Sequence, residues 1–271
     1  MKNKAIKKPI IQAAVIMAVF YIVEMIFVFY DVFPKYDHLL IADIILRIIG
    51  GIVGLKLISG YSKRGESKYT VKQLFTNKIP KKTWLVMIPI IIYILLPFVK
   101  LVTAFAFTTK IIVTFTILII QQFATGFFEE GVSRGLMMNG LIKHNTDTVK
   151  QRIFTVLVTG LFFGLGHFPN IAFGENPLIQ MPSCFCFGLF LAAVYMLSDN
   201  LLLVMLIHAF DDSTFRIVKS LFGIVPDAPI CQFVDHARNV TITYILLPLM
   251  AIYICINYDK LKNVVIHHPQ N

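Results

Sequence analysis

The sequence predicts an all-α, polytopic membrane protein of about eight transmembrane helices with a polar intramembrane cavity. Two observations carry that class. Apolar residues make up 57% of 271 and charged residues only 15%, with a mean hydropathy of +0.74, whereas a soluble domain devotes about a quarter of its residues to charge. The apolar residues also gather into long runs, and a span of the hydrocarbon core takes roughly 20 of them.

Residues 10–30 form the first run, broken only by Gln12 and Glu24. Its apolar stretch is too long for the core of a secretion signal and no small-residue cleavage site follows, so it is expected to stay as a span. Residues 39–58 come next, with Asp43 and Arg47 at an i,i+4 spacing inside the run. Residues 84–99 are the third run, and residues 111–128 the fourth, without a charge. Residues 153–166 and 181–197 are the fifth and sixth. The seventh, 201–222, is polar in its second half, and 240–256 is the last. Residues 1–271 thus read as one integral membrane domain, with no linker, repeat or separate soluble unit, and with a motif-bearing core at 111–222.

The net charge of +10 is unevenly placed. Lys2, Lys4, Lys7 and Lys8 precede the first span, and Lys63, Arg64, Lys68, Lys72, Lys78, Lys81 and Lys82 crowd the second connection. Lys143, Lys150 and Arg152 precede the fifth span; Lys260 and Lys262 follow the eighth. The alternate connections, 31–38, 168–180 and 223–239, are poor in both residues. The positive-inside rule then puts both termini in the cytoplasm of a multi-pass protein of the cell membrane, with a bacterial plasma membrane expected. The basic charge meets lipid headgroups, and no nucleic-acid partner is expected. Cys184, Cys186, Cys231 and Cys255 form no CxxC pair, which points to apolar thiols in place of a metal or redox centre.

Charge at the centre of a span costs about 2.5–3.5 kcal/mol on insertion scales, so polar residues inside apolar sequence mark function. In Phe127-Phe128-Glu129-Glu130-Gly131-Val132-Ser133-Arg134-Gly135, Glu130 and Arg134 stand i,i+4 with the acid first, the favourable order for an ion pair. Glu129 points about 100° away, so one carboxylate can be held by arginine while the other faces a cavity; the alternative is that the span ends at Phe128 and these charges lie among the headgroups. A second cluster ends at His167, and a third is His208-Ala209-Phe210-Asp211-Asp212. Together they supply two imidazoles and up to four carboxylates, an inventory suited to activating water. A transporter or proton relay uses the same groups, and their spacing alone does not separate the two.

The series Glu129-Glu130-x-x-x-Arg134, Phe163-x-x-x-His167 and His208-x-x-x-Asp212 resembles the motifs of the CPBP, or Abi, intramembrane endopeptidases. That family includes CAAX prenyl proteases and bacteriocin-processing or immunity proteins. The resemblance runs from Gln121 to Asp212, with Gly188, Tyr195, Ser198 and Leu201 also in familiar places. It implies proteolysis within the bilayer on a prenylated protein or peptide substrate. Glu129 would be the general base on a water shared with His167. Glu130 would assist, with Arg134 as its ionic partner and Phe163 in support; His208 and Asp212 would hold the reacting carbonyl. A metal-free mechanism is favoured, with a zinc shell of His167, His208 and Glu129 as the alternative. Many members carry Asn where this chain has Asp212. An ionised Asp repels an oxyanion that Asn would bind, so Asp212 must be protonated, orient His208 or bind a metal. A non-enzymatic transporter or immunity scaffold is the competing reading.

Gly131-Val132-Ser133-Arg134-Gly135 also fits the GxSxG pattern of serine hydrolases. That motif works on a sharp strand-to-helix turn. Here it follows an apolar run without β character, and the glycines are better explained by close helix packing.

Overall fold

A computed structural model describes residues 2–30, 32, 36–104, 109–143, 145–220 and 229–262. Among them the regular structure is entirely helical, as a chain in lipid requires, since only helices and closed barrels satisfy every backbone polar group internally. The order is α1 (Lys2–Phe29), α2 (Tyr36–Lys63), the short α3 (Val71–Thr76) and α4 (Thr83–Val86), then α5 (Ile88–Ala104) and α6 (Thr109–Glu130). From α6 the chain runs straight into a π-helical stretch, Gly131–Met138, and α7 (Asn139–Ile142). There follow α8 (Val149–Gly166), a 3₁₀ segment (Phe168–Phe173), α9 (Pro177–Ser198), α10 (Leu201–Ser220) and α11 (Pro229–His236). A second π-helical stretch, Ala237–Leu246, leads into α12 (Leu247–Lys262).

Each run expected to span falls in helix where it is described, the third with a turn at Met87; residues 221–222 of the seventh lie outside the described residues. Five described stretches are long and apolar enough to cross a membrane: Lys8–Phe29, His38–Lys63, Val149–Phe173, Pro177–Ser198 and Gln232–Lys262. Their outer faces are apolar at helical spacing, as with Phe154, Leu157, Leu161 and Leu165 on α8, all about half exposed. In water such stripes would be an aggregation surface; in lipid they are the solvated face. Residues 223–228 of the last expected connection lie outside the described residues, as does the Cys231 side chain.

The core is α9, whose residues 186–198 are all buried and which packs between α8 and α12. The α10 helix lies along α6, and α2 covers the other side of α6. Local chemistry sets the ends. Thr148 and Gln151 form a capping box that starts α8, and Asn176 caps α9 ahead of Pro177. Asp199, in the left-handed region at φ 54°, ends α9. Asn200 accepts from the Leu203 amide at 3.0 Å to start α10, so the chain reverses in two residues.

Two glycines permit the approaches that build the site. A Cβ on Gly126 of α6 would lie 2.8 Å from the Met205 carbonyl oxygen of α10, and one on Gly164 of α8 would lie 2.9 Å from that of Met181 in α9. Each glycine stands three residues before a charged or imidazole side chain of the site, Glu129 and His167.

The basic segments meet at one end of the bundle. Asn77 and the α9–α10 turn exchange hydrogen bonds of 2.9 and 2.8 Å, and Lys82 donates to the Lys260 carbonyl at 2.9 Å. Arg152 pairs with Asp259 at 2.9 Å, Lys262 with Asp199, and Lys143 donates to the Gly65 carbonyl. Lys8 of α1 stands over Tyr61 near the end of α2.

Candidate active site

Polar side chains from α2, α6, α8 and α10 converge, although the sequence separates them widely. Glu130, fully buried, accepts from Arg134 Nη1 at 2.9 Å and bonds His208 Nδ1 at 2.9 Å through the same Oε1. The i,i+4 pair is thus part of the core and not a headgroup contact. Arg134 is held further: Nη1 reaches Ser133 Oγ at 2.9 Å, Nη2 donates to the Gly188 carbonyl at 3.0 Å, and the guanidinium lies 4.5 Å above the Phe163 ring. Such cation–π contact strengthens when desolvated. The arginine belongs to the π-helical stretch, a feature that is rare and frequent at functional sites. Ser133 also lies on this helix and donates to the Glu129 carbonyl at 2.5 Å, so the GxSxG sequence has none of the strand-turn geometry that exposes a nucleophile.

His167 ends α8, and its Nδ1 lies 2.8 Å from the Phe163 carbonyl. A carbonyl only accepts, so Nδ1 carries the proton and the neutral ring presents a lone pair at Nε2. That nitrogen faces Glu129 Oε2 at 3.8 Å, and His208 Nε2 faces the same oxygen at 3.9 Å. His208 Nε2 also lies 3.5 Å from Asp212 Oδ2. Glu129 Oε2 is buried and has no hydrogen-bond partner among the described residues. The Phe163 ring packs on both imidazoles, with centroids 4.8 Å from His167 and 5.6 Å from His208, and Phe187 closes on His208 at 5.7 Å. Two rotatable imidazoles are thereby fixed by one carbonyl, one carboxylate and two aromatic faces.

The structure brings together Glu129, Glu130, Arg134, Phe163, His167, His208 and Asp212. Asp211 is turned away: it accepts from Arg238 Nη2 at 2.7 Å, and Arg238 stacks on Tyr93 of α5. It anchors α10 to the second π-helical stretch and drops out of the catalytic inventory. Arg47 joins instead, donating to Glu129 Oε1 at 3.4 Å. A charge in the middle of the second apolar run was the signal for it, but its partner lies 82 residues away. For a metal, the donors are chemically suitable, each imidazole holding its Nδ1 on a carboxylate or carbonyl as metal-binding histidines do. Among the described residues, however, no three His, Cys, Asp or Glu side chains are grouped so as to hold an ion.

Residues 111–214 match a family model, that of the type II CAAX prenyl endopeptidases, Rce1-like. The motif-bearing segment is thus similar to the CAAX endopeptidase family. The match bears out the resemblance carried by the three motifs. It takes in α6, the first π-helical stretch, α8, α9 and most of α10; α1 and α2 lie outside it. No curated protein and no solved structure matches the chain.

Proposed function

We propose that this protein is an intramembrane endopeptidase that hydrolyses a peptide bond with a water activated by Glu129. The carrying observation is Glu129 Oε2, buried and without a protein hydrogen bond, opposite the Nε2 atoms of His167 and His208 at 3.8 and 3.9 Å. Polar separations beyond 3.5 Å are those that a water bridges. A water between Glu129 Oε2 and His167 Nε2 donates one proton to each acceptor, which turns its oxygen lone pair outward.

In the reaction Glu129 takes a proton from that water as the oxygen attacks the carbonyl, and returns it to the leaving amine. One water is consumed, leaving a carboxylate and an amine. His208, anchored at Nδ1 by Glu130 and flanked at Nε2 by Glu129 and Asp212, presents an N–H to the developing oxyanion. Pre-positioned donors of this kind supply a large share of catalysis in a site shielded from water. Water and substrate reach the site from the Asp212 side, whose side chain is 31% exposed. Substrates are prenylated CAAX tails, or peptides such as bacteriocins and their leaders. Reconstituted in liposomes, the protein is expected to release the three-residue tail of a farnesylated CAAX peptide. Failure to cut both that peptide and the peptides of its own membranes would overturn the reading.

Eight spans with both termini cytoplasmic suit this chemistry and agree with the meeting of the basic segments at one bundle end. Maleimide labelling from outside intact cells should modify a cysteine placed at 175 and spare one placed at 68; the reverse pattern would invert the topology.

Asp212 separates mechanisms. In the metal-free site, Asp212→Asn replaces an acceptor by a neutral donor 3.5 Å from His208, so cleavage is retained or improved. Were Asp212 a metal ligand, the same change would lower activity and bound metal together. Turnover and zinc content of the purified variant give the answer, and a severe loss of both would refute the metal-free mechanism.

A further inference from the structure

We infer that Arg47 is a positioning residue for Glu129, so that α1 and α2, outside the family match, complete the catalytic base. The inference rests on the proposed hydrolytic function. Arg47 is buried inside an apolar span, and each nitrogen of its guanidinium is committed. Nε donates to both Asp43 oxygens at 2.9 and 3.0 Å, Nη2 to Glu24 Oε1 at 3.4 Å, and Nη1 to Glu129 Oε1 at 3.4 Å. The Phe20 ring of α1 covers the cation at 4.8 Å, and Gln121 of α6 braces Asp43 at 2.8 Å. The planar fork is therefore fixed from three helices.

The consequence for Glu129 is a division of labour between its oxygens. Oε1 is tied to the fork, and this turns Oε2 toward the two imidazoles. A glutamate at the end of three rotatable bonds would otherwise sample several rotamers, and a misplacement of about 1 Å can cost on the order of 100-fold in rate. The cation also supports a carboxylate that shares its surroundings with Glu24, Asp43 and Glu130. Lysine has a single ammonium and cannot hold three carboxylates in one plane, so it would replace arginine only in part.

The test uses full-length protein in detergent and in liposomes, with the farnesylated CAAX peptide as probe. Arg47→Gln should lower kcat by on the order of 100-fold with KM changed less than about twofold, and Arg47→Lys should recover part of that loss. A clamp that merely joins α1 to α2 predicts losses that follow the folded fraction, with no such split. Independently of cleavage, thermal unfolding of Arg47→Gln, Glu129→Ala and the double variant should be non-additive, the double losing less than the sum. Additive shifts, or wild-type kcat in folded Arg47→Gln, would overturn the inference. Equal cleavage by Glu129→Gln and wild type would overturn the function instead, while the unfolding cycle still decides whether Arg47 holds Glu129.

Discussion

Glu129→Gln should abolish cleavage, by about 10³-fold or more, and leave a folded protein. The amide keeps the shape and can still accept from Arg47 Nη1 through its oxygen, now at Oε1. Its NH₂ then occupies the position of Oε2 and points a donor at the site of the water. The base is lost, which alone accounts for about 10²–10⁴-fold, and the water loses one of its two acceptors. Glu130 is a poor replacement, its Oε1 being engaged by Arg134 and His208. Equal expression, an unchanged elution profile and a similar unfolding temperature, together with no product, are the expected results. Residual cleavage above about a tenth of wild type would move the base elsewhere.

Arg134→Ala should damage folding and activity together. Its side chain and that of Glu130 are both fully buried, 2.9 Å apart. Removing one partner of a buried pair costs about 3–5 kcal/mol, because the other charge is left uncompensated. The same deletion opens a hole beneath Phe163 and strips the Gly188 carbonyl of its donor, and Glu130 loses the partner that keeps it on His208. Folded yield and unfolding temperature should therefore drop along with turnover. Arg134→Lys should restore some stability and little activity, since one ammonium cannot reach Glu130, Ser133 and Gly188 at once. Normal stability of the alanine variant would show that the pair is not the buried hub described here.

Much of this is legible in the sequence. Apolar runs mark helices in lipid because no other open structure satisfies the backbone there, and the expected runs are helical where they are described. The i,i+4 spacing predicts the Glu130–Arg134 contact, since helical neighbours are set by local geometry alone. The contacts that spacing does not predict are those between helices. Arg238 meets Asp211 across 27 residues and Arg47 meets Glu129 across 82, distances at which only packing decides. The His208–Glu130 bond is of the same kind. Both π-helical stretches were also hidden, because a wider turn leaves no residue signature. Each of them carries an arginine, Arg134 or Arg238, that holds a carboxylate of the site helices. Asp199 takes its left-handed turn without a glycine, its carboxylate held by lysines from two other segments.

Hydrolysis within the membrane by a water on Glu129 leaves cleaved peptides behind. The most direct measurement is quantitative mass spectrometry of membrane peptides from cells making the wild type or Glu129→Gln at equal levels. Peptides with new termini should be present with the wild type and absent with the variant. Indistinguishable peptide sets from the two would contradict hydrolysis by Glu129.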